Sequence, residues 1–242
     1  MSEPSAPWNI WMRPEWSGRG PKPSYSRAQI ADTAIRLADA DGIEALSMRK
    51  VAAELGTGAM TIYRYVPNKE ELLELMIDQC FAGAELPPRT GSWRADISEL
   101  MRGHRATLLR HPWLSRMTVS RSSAGPNMLR RMEFGMSILD GLGLDTGQVL
   151  ETFLVLAAWV SGSTDAELAE REARRRSGVD RDAAHAAIAP YVEQVVGSGA
   201  YPYFERTVRE ARFRNPEERF ESALKLILDG IEANLPGKRV RE

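Results

Sequence analysis

Helical spacing governs the apolar positions of this chain, and strand-like alternation is scarce. Ser26-Arg27-Ala28-Gln29 reads as a capping box. Behind it, Ile30, Ala34, Ile35, Leu37 and Ala38 form an apolar face that ends at Asp41-Gly42. A second, shorter helix is predicted from an N-cap at Ser47, with Val51, Ala52 and Leu55 turned inward. Gly56 stops it, because glycine takes φ > 0 cheaply. Thr57 is placed to cap a third helix, which runs to about Tyr65 and is stopped by Val66-Pro67. Asn68-Lys69-Glu70-Glu71 then opens a fourth with acids in its first turn, where the helix dipole favours them. That helix carries Leu72, Leu73, Leu75, Met76 and Ile77.

Leu86-Pro87-Pro88 marks the start of a second domain. Helices are predicted there over 94–109, 126–139, 146–161 continuing toward 176, and 216–235. The last is the best signalled, with Asn215 as N-cap, Pro216 in the first helical position and Glu218 in the third. Phe220, Ala223, Leu224, Ile227, Leu228 and Ile231 then follow the i, i+3, i+4, i+7 rule. Residues 1–25 carry five prolines with Gly18 and Gly20, and read as a flexible arm that holds Trp8, Trp11 and Trp16. The boundaries expected are therefore 1–25 for the arm, 26–82 for the head with its connecting helix, and 86–242 for the C-terminal domain. No internal repeat is visible.

Composition narrows this picture without overturning it. At 242 residues, 43% hydrophobic and 27% charged, the chain has the means to fold as two modest domains. A single cysteine, Cys80, excludes an internal disulfide framework and suits a reducing compartment, so a cytoplasmic location is expected. Residues 1–16 lack the apolar run of a signal peptide, and the apolar stretch 149–160 is interrupted by Glu151 and Thr152 and too short to span a bilayer. No membrane partner is expected. The net charge of −1 is small, yet Arg49, Lys50, Arg64 and Lys69 face only Glu54 between residues 47 and 69. A local basic face of this kind binds phosphates without a basic protein overall.

Two short helices on either side of Gly56 make the layout of a helix-turn-helix, which sets a short helix in the major groove of DNA. The second presents Thr61, Tyr63, Arg64 and Tyr65 within two turns. Hydroxyls and the Lys69 ammonium suit phosphate oxygens, and arginine suits the O6/N7 edge of guanine. Ser47 and Lys69 sit at helix N-termini, where backbone N–H groups also favour phosphate. Arg49 is the other candidate for reaching a base. The competing reading, that a tyrosine-rich short helix is core packing, sits badly with Ile62 and Val66 falling on the face opposite the polar residues.

These residues resemble the DNA-binding domain of the TetR family of transcriptional repressors. The resemblance runs from Ser26 to about Met76 and rests on Leu46-Ser47-Met48-Arg49-Lys50-Val51-Ala52, Leu55-Gly56, Thr61-Ile62-Tyr63-Arg64-Tyr65-Val66 and Asn68-Lys69-Glu70-Glu71-Leu72-Leu73. It implies an all-α homodimer: an N-terminal three-helix helix-turn-helix head, plus a helical C-terminal ligand-binding and dimerisation domain. It also implies phosphate contacts at Tyr63 and Lys69, backbone contacts at Thr61 and Tyr65, and Arg49 near a base. Arg64 stands where the family varies, so its role rests on chemistry alone. More weakly, Ser92-Trp93, His111-Pro112-Trp113 and the apolar 149–160 and 216–235 helices are similar to the tetracycline-repressor-like ligand domain. That supports an architecture and names no ligand.

For the small-molecule effector, the candidates are His104, Trp113, Met117, Phe153 and Trp159. His104 follows Ile97, Leu100 and Met101 on one helix face, and the aromatic and methionine side chains suit an adaptable apolar cavity. Each also reads plainly as core. For the dimer, the candidates are Phe153 on the 149–160 helix and Phe220, Leu224, Ile227 and Leu228 on the last; an intrachain core is the competing reading. Glu167/Arg171, Glu170/Arg174 and Glu172/Arg176 are i, i+4 pairs in the favourable order and predict a solvated helix extension. Arg13, Arg19, Lys22 and Arg27 are placed to follow a minor groove, with a plain disordered tail as the alternative. An enzyme is the rival class, but His104, His111 and His185 have no metal-ligand spacing and no acid–histidine–nucleophile pattern stands out. No catalytic residue, metal or cofactor is expected. The expectation is a ligand-responsive transcriptional regulator that leaves a palindromic DNA operator when a small molecule binds, with a helical enzyme or an effector-free DNA-binding scaffold as the alternatives.

Overall fold

A computed structural model describes residues 10–15, 24–120, 125–178, 181–212 and 214–236, and among these it contains helices and no strand. The head is built from α1 (Arg27–Asp41), α2 (Met48–Glu54) and α3 (Ala59–Tyr65). Connector α4 (Lys69–Cys80) follows, then α5 (Trp93–Arg110), α6 (Leu114–Ser120), α7 (Pro126–Leu139), α8 (Thr146–Ser177), α9 (Arg181–Gly197), α10 (Pro202–Glu210) and α11 (Pro216–Ala233).

The expected caps explain where the head helices begin. Ser26 Oγ accepts from Gln29 N–H while the Gln29 side chain accepts from Ser26 N–H, closing the capping box of α1. Ser47 Oγ accepts from Lys50 N–H at 3.3 Å, and Asn68 Oδ1 accepts from Glu71 N–H at 2.7 Å. Each such cap satisfies a backbone donor that the helix leaves free, a contribution of about 1 kcal/mol. Gly56 takes φ 68° after α2, as its turn requires. The start of α3 differs from expectation. Its N-cap is Gly58, which offers no side-chain acceptor, and Thr57 instead donates its N–H to Ala52 O. Threonine chemistry fits the cap, but the backbone turn after Gly56 uses up Thr57 first.

The described residues divide into two compact units, Met1–Thr164 with Ile231–Glu242, and Asp165–Gly230. The first unit joins the head to α5–α7 through α4, which is buried on nearly every side. Leu72, Leu73, Leu75, Met76, Ile77 and Cys80 are all under 9% exposed. α4 packs on α1, and also on α6 and α7. Half of its twelve residues are polar or charged, yet only Glu70 among them is exposed, because α1, α6 and α7 pack around it.

Part of the arm belongs to this unit as well. A 3-10 turn at Ile10–Met12 buries Ile10 (2% exposed) and touches α4. Arg27 Nη1 donates to Ile10 O at 3.0 Å and Arg13 O at 2.7 Å, and the Arg27 N–H is held by the Glu15 carboxylate. Residues 10–15, which the prolines mark as flexible, are thus folded onto the head; 1–9 and 16–23, with Trp8, Trp16, Arg19 and Lys22, lie outside the described residues.

The second unit holds the charged end of α8, then α9, α10 and most of α11. Glu167–Arg171, Glu170–Arg174 (3.2 Å) and Glu172–Arg176 (3.7 Å) pair as the sequence spacing anticipates. Asn215 Oδ1 accepts from Glu218 N–H while Glu218 Oε2 accepts from Asn215 N–H, a second capping box at the start of α11. α9 and α10 have no counterpart among the predicted helices. α9 contains Pro190, and its Ile188 and Tyr191 are more than half exposed. Such a helix lacks the one-sided burial that makes a pattern readable.

Candidate DNA-binding face and effector core

α3 shows one inward and one outward face. Ile62 is fully buried, and so is Val66 at the end of the helix. Tyr63 and Arg64 are exposed, with Thr61 and Tyr65 half-buried beside them. Arg49, on the first turn of α2, is exposed too, whereas its neighbour Lys50 is drawn into an ion pair with Asp41 at 3.2 Å. Ser47 and Lys69 open α2 and α4, half-buried, their helix N-termini standing next to the polar face of α3 in the chain.

Two residues change the sequence-based picture. Met60, 77% exposed near the start of α3, was not among the expected contacts. An apolar side chain there matches the methyl group of thymine. Its signal was available, since it lies two residues from Ile62 and so points away from the core. Tyr65 is committed inside the protein: its OH accepts from Ser24 N–H at 3.1 Å, its ring meets Tyr25 edge-on at 6.3 Å, and its carbonyl accepts from Arg27 Nε. Tyr25 in turn donates its OH to Leu55 O at 3.0 Å, at the end of α2. These bonds brace the helix-turn-helix from outside.

The effector candidates are scattered more widely. His104, 8% exposed on α5, stacks on Phe81 at 5.4 Å and sets Nε2 3.4 Å from Ser161 Oγ on α8. Burial, and then the charge of Arg131, hold its imidazole down to about 3, so it is neutral at physiological pH. Phe153 on α8 is buried under Gly135 of α7, where an added Cβ would stand 2.3 Å from the ring. Trp113 is tied elsewhere: its indole N–H donates to Asp39 Oδ1 of α1 at 2.8 Å, and His111 Nδ1 meets Asp39 Oδ2 at 2.9 Å. That pair links the head to the α5–α6 corner. Met117 and Trp159 are half-buried.

α4 and α7 are joined by a contact that has no local pattern in the chain. Asp78, 2% exposed, accepts from Asn127 N–H (2.9 Å), Met128 N–H (2.9 Å) and Asn127 Nδ2 (2.7 Å). The connector thus supplies the N-terminal cap of α7. Only glycine fits at Gly125, because a Cβ there would lie 2.2 Å from Asp78 Oδ1.

Of the dimer candidates, Phe153, Phe220, Leu224 and Leu228 are each 9% exposed or less, buried within their own chain, and Ile227 is half-buried. Apolar side chains that face outward are Leu150, Leu154 and Val155 on α8 and Leu226 (72% exposed) on α11. Two surface grooves of about 630 and 390 Å3 lie around Arg214 and Ser222, lined by Arg212, Glu218, Arg219 and Leu226 among others, and no effector candidate lines either. Among the described residues no group of histidine, cysteine or acidic side chains is arranged to hold a metal ion. No helix among them is long and apolar enough to cross a membrane.

Comparison with known proteins agrees with this geometry at both ends of the chain. Residues 30–76 match the family described as bacterial regulatory proteins, tetR family, and residues 87–235 match the tetracyclin repressor-like C-terminal domain. The chain is 37% identical to the HTH-type transcriptional repressor DrrR1 of Streptomyces coeruleorubidus, over 96% of this chain and 85% of that protein. It is 39% identical to an HTH-type transcriptional regulator of Saccharopolyspora erythraea over 67% of this chain and 69% of that one. Its fold is similar to that of the Streptomyces coelicolor TetR family protein ActR in complex with actinorhodin, with a TM-score of 0.72 and 29% identity over 89% of this chain and 99% of ActR. The chain is therefore a DNA-binding transcriptional regulator and belongs to the TetR family.

Proposed function

We propose that the chain acts in the cytoplasm as a homodimeric repressor that holds a palindromic operator and lets go when a small molecule enters the core around His104. The observation that carries this reading is the mechanical continuity of α4. Its first residue, Lys69, lies at the DNA face, and its last turn is gripped by α7 through Asp78 and covered by His104 through Phe81. A ligand that rearranges α5 and α7 must move α4, and α4 cannot move without the head. Two heads satisfy adjacent major grooves only when about one helical turn apart, ~34–36 Å. A ligand favouring another spacing weakens DNA binding, and DNA weakens ligand binding by the same factor.

At the DNA, Tyr63, Lys69, Thr61 and the Ser47 N-terminus contact phosphates, and Arg49, Arg64 and Met60 reach base edges. Tyr65 acts as a brace with a backbone contact at most. His104 and Phe153 belong to the effector core, with Met117 and Trp159 at its margin; Trp113 serves the junction with the head. The partner protomer is met by Leu150, Leu154, Val155, Leu226 and Ile227, while Phe153, Phe220, Leu224 and Leu228 hold those helices in shape from within.

Mapping the sites bound across the genome and testing one in solution checks the reading. The palindrome should bind the dimer ~10²–10⁴-fold more tightly than either half-site alone, because the second head binds at high effective concentration. Equal affinity for half-site and palindrome would contradict it.

A further inference from the structure

Arg131 is a buried cation for which the fold supplies no anion. It is 5% exposed on α7, in register with the buried residues Gly135, Ile138 and Leu139. Its guanidinium donates one hydrogen bond, from Nη2 to Leu100 O at 3.2 Å, and lies 5.3 Å from the centre of the Phe81 ring. Among the described residues no carboxylate pairs with it, and its remaining nitrogens, which find no acceptor in the chain, are not fully enclosed. The nearby charge is the like charge of Arg130, which, after burial itself, draws the group down to about 10 and leaves it protonated at neutral pH. A buried guanidinium with one carbonyl partner is costly, and a carboxylate matches its planar fork of donors.

We propose that Arg131 is the anion receptor of the effector core, and that the effector is an apolar, aromatic molecule bearing one acidic group. The proposal rests on the reading of the C-terminal domain as a small-molecule sensor. The surroundings fit such a molecule on both counts. Phe81, Leu100 and, one turn along α7, the Phe153 ring against bare Gly135 offer apolar and aromatic walls. Neutral His104 and Ser161 add polarity without a competing charge. The same geometry connects the anion to the switch. Phe81 ends α4 and touches both His104 and Arg131. An acid that takes the guanidinium draws it off Phe81, and the last turn of the connector loses its cover while Asp78 still ties it to α7. Arg131 carries no signal in the sequence, because its apolar register is visible only once α7 is placed.

Matched aromatic pairs test this: naphthalene, anthracene and anthraquinone rings, each as the carboxylate and as the primary amide. Binding is read from tryptophan fluorescence, and release from the anisotropy of labelled operator, for wild type, Arg131→Met, Arg131→Lys and Arg130→Gln. At least one carboxylate should bind wild type tenfold or more tightly than its amide and release the operator. Arg131→Met should erase that preference while still binding operator, Arg131→Lys should keep part of it, and the exposed neighbour's variant Arg130→Gln should retain it. A preference that survives in Arg131→Met, or amides that bind as well as carboxylates, would overturn the proposal; release by amides leaves the sensor reading standing. If no compound of either charge binds wild type that holds its operator, the proposal and the sensor reading fall together. Should Arg131→Met not fold, the wild-type comparison of acid with amide and the Arg131→Lys variant decide.

Discussion

Lys69 and Arg49 differ in what a base pair can ask of them. An ammonium at a helix N-terminus senses a phosphate as a point charge, whereas a guanidinium on an exposed turn can match a guanine edge. Lys69→Ala should therefore weaken operator and random DNA alike and lower the salt slope of binding by about 1, measured by titration over a range of ionic strength. An unchanged slope would remove Lys69 from the phosphate contacts. His104 makes a different residue-level claim. Its imidazole is held at about 3 in the fold against 6.5 in the unfolded chain. Between those values the unfolded chain takes a proton that the folded one refuses, so stability falls as pH drops below about 6.5. The slope from this group is on the order of 1 kcal/mol per pH unit. Urea unfolding at pH 4.5 to 7 should show that part of the slope missing from His104→Gln, and parallel curves would show that the imidazole is not shielded. The burial of His104 was legible from Ile97, Leu100 and Met101 before it. The commitment of Trp113 to Asp39 was not, because a partner 74 residues away leaves no local pattern.

Among the elements, α4 is the one whose sequence reads as ordinary and whose position is not. Its cap at Asn68 and its leucines were plain in the chain, and so were the caps of α1, α2 and α11, since capping is a local matter of a few residues. Asp78 was invisible for the opposite reason: an acid in a helix looks solvated until a second helix brings its N–H groups to it. Removing that carboxylate leaves the part-buried Asn127 and Met128 N–H groups without their acceptor, at a cost of about 1 kcal/mol. Asp78→Ala should lower the chemical denaturation midpoint accordingly, and Gly125→Ala should do so as well through its clash with the same carboxylate. Wild-type stability in both would mean that α4 and α7 are not joined there. The short α6 and the exposed α9 and α10, which lie outside the predicted helices, show the limit of periodicity, which reports one-sided burial and little else.

At the scale of the molecule, the head and the all-helical class followed from the caps and from the helix-turn-helix spacing, while the chain that covers each apolar stripe did not. An amphipathic stripe announces burial but not whether its own chain or another provides it. Phe220, Leu224 and Leu228 proved to be buried at home, and Leu154 and Leu226 to face outward. Leu154→Glu with Leu226→Glu should give a folded monomer by light scattering that no longer holds operator; an intact dimer would move the interface elsewhere. The central claim is that ligand and operator compete by setting the distance between two heads. A nitroxide at Ala40→Cys, exposed on α1, reports that distance in the dimer by pulsed electron resonance, since Cys80 is buried and its thiol is pushed up by burial, and so escapes labelling. The operator complex should show one narrow distance, and the dimer saturated with an operator-releasing compound a distribution displaced from it. The same distribution in both states would contradict the account.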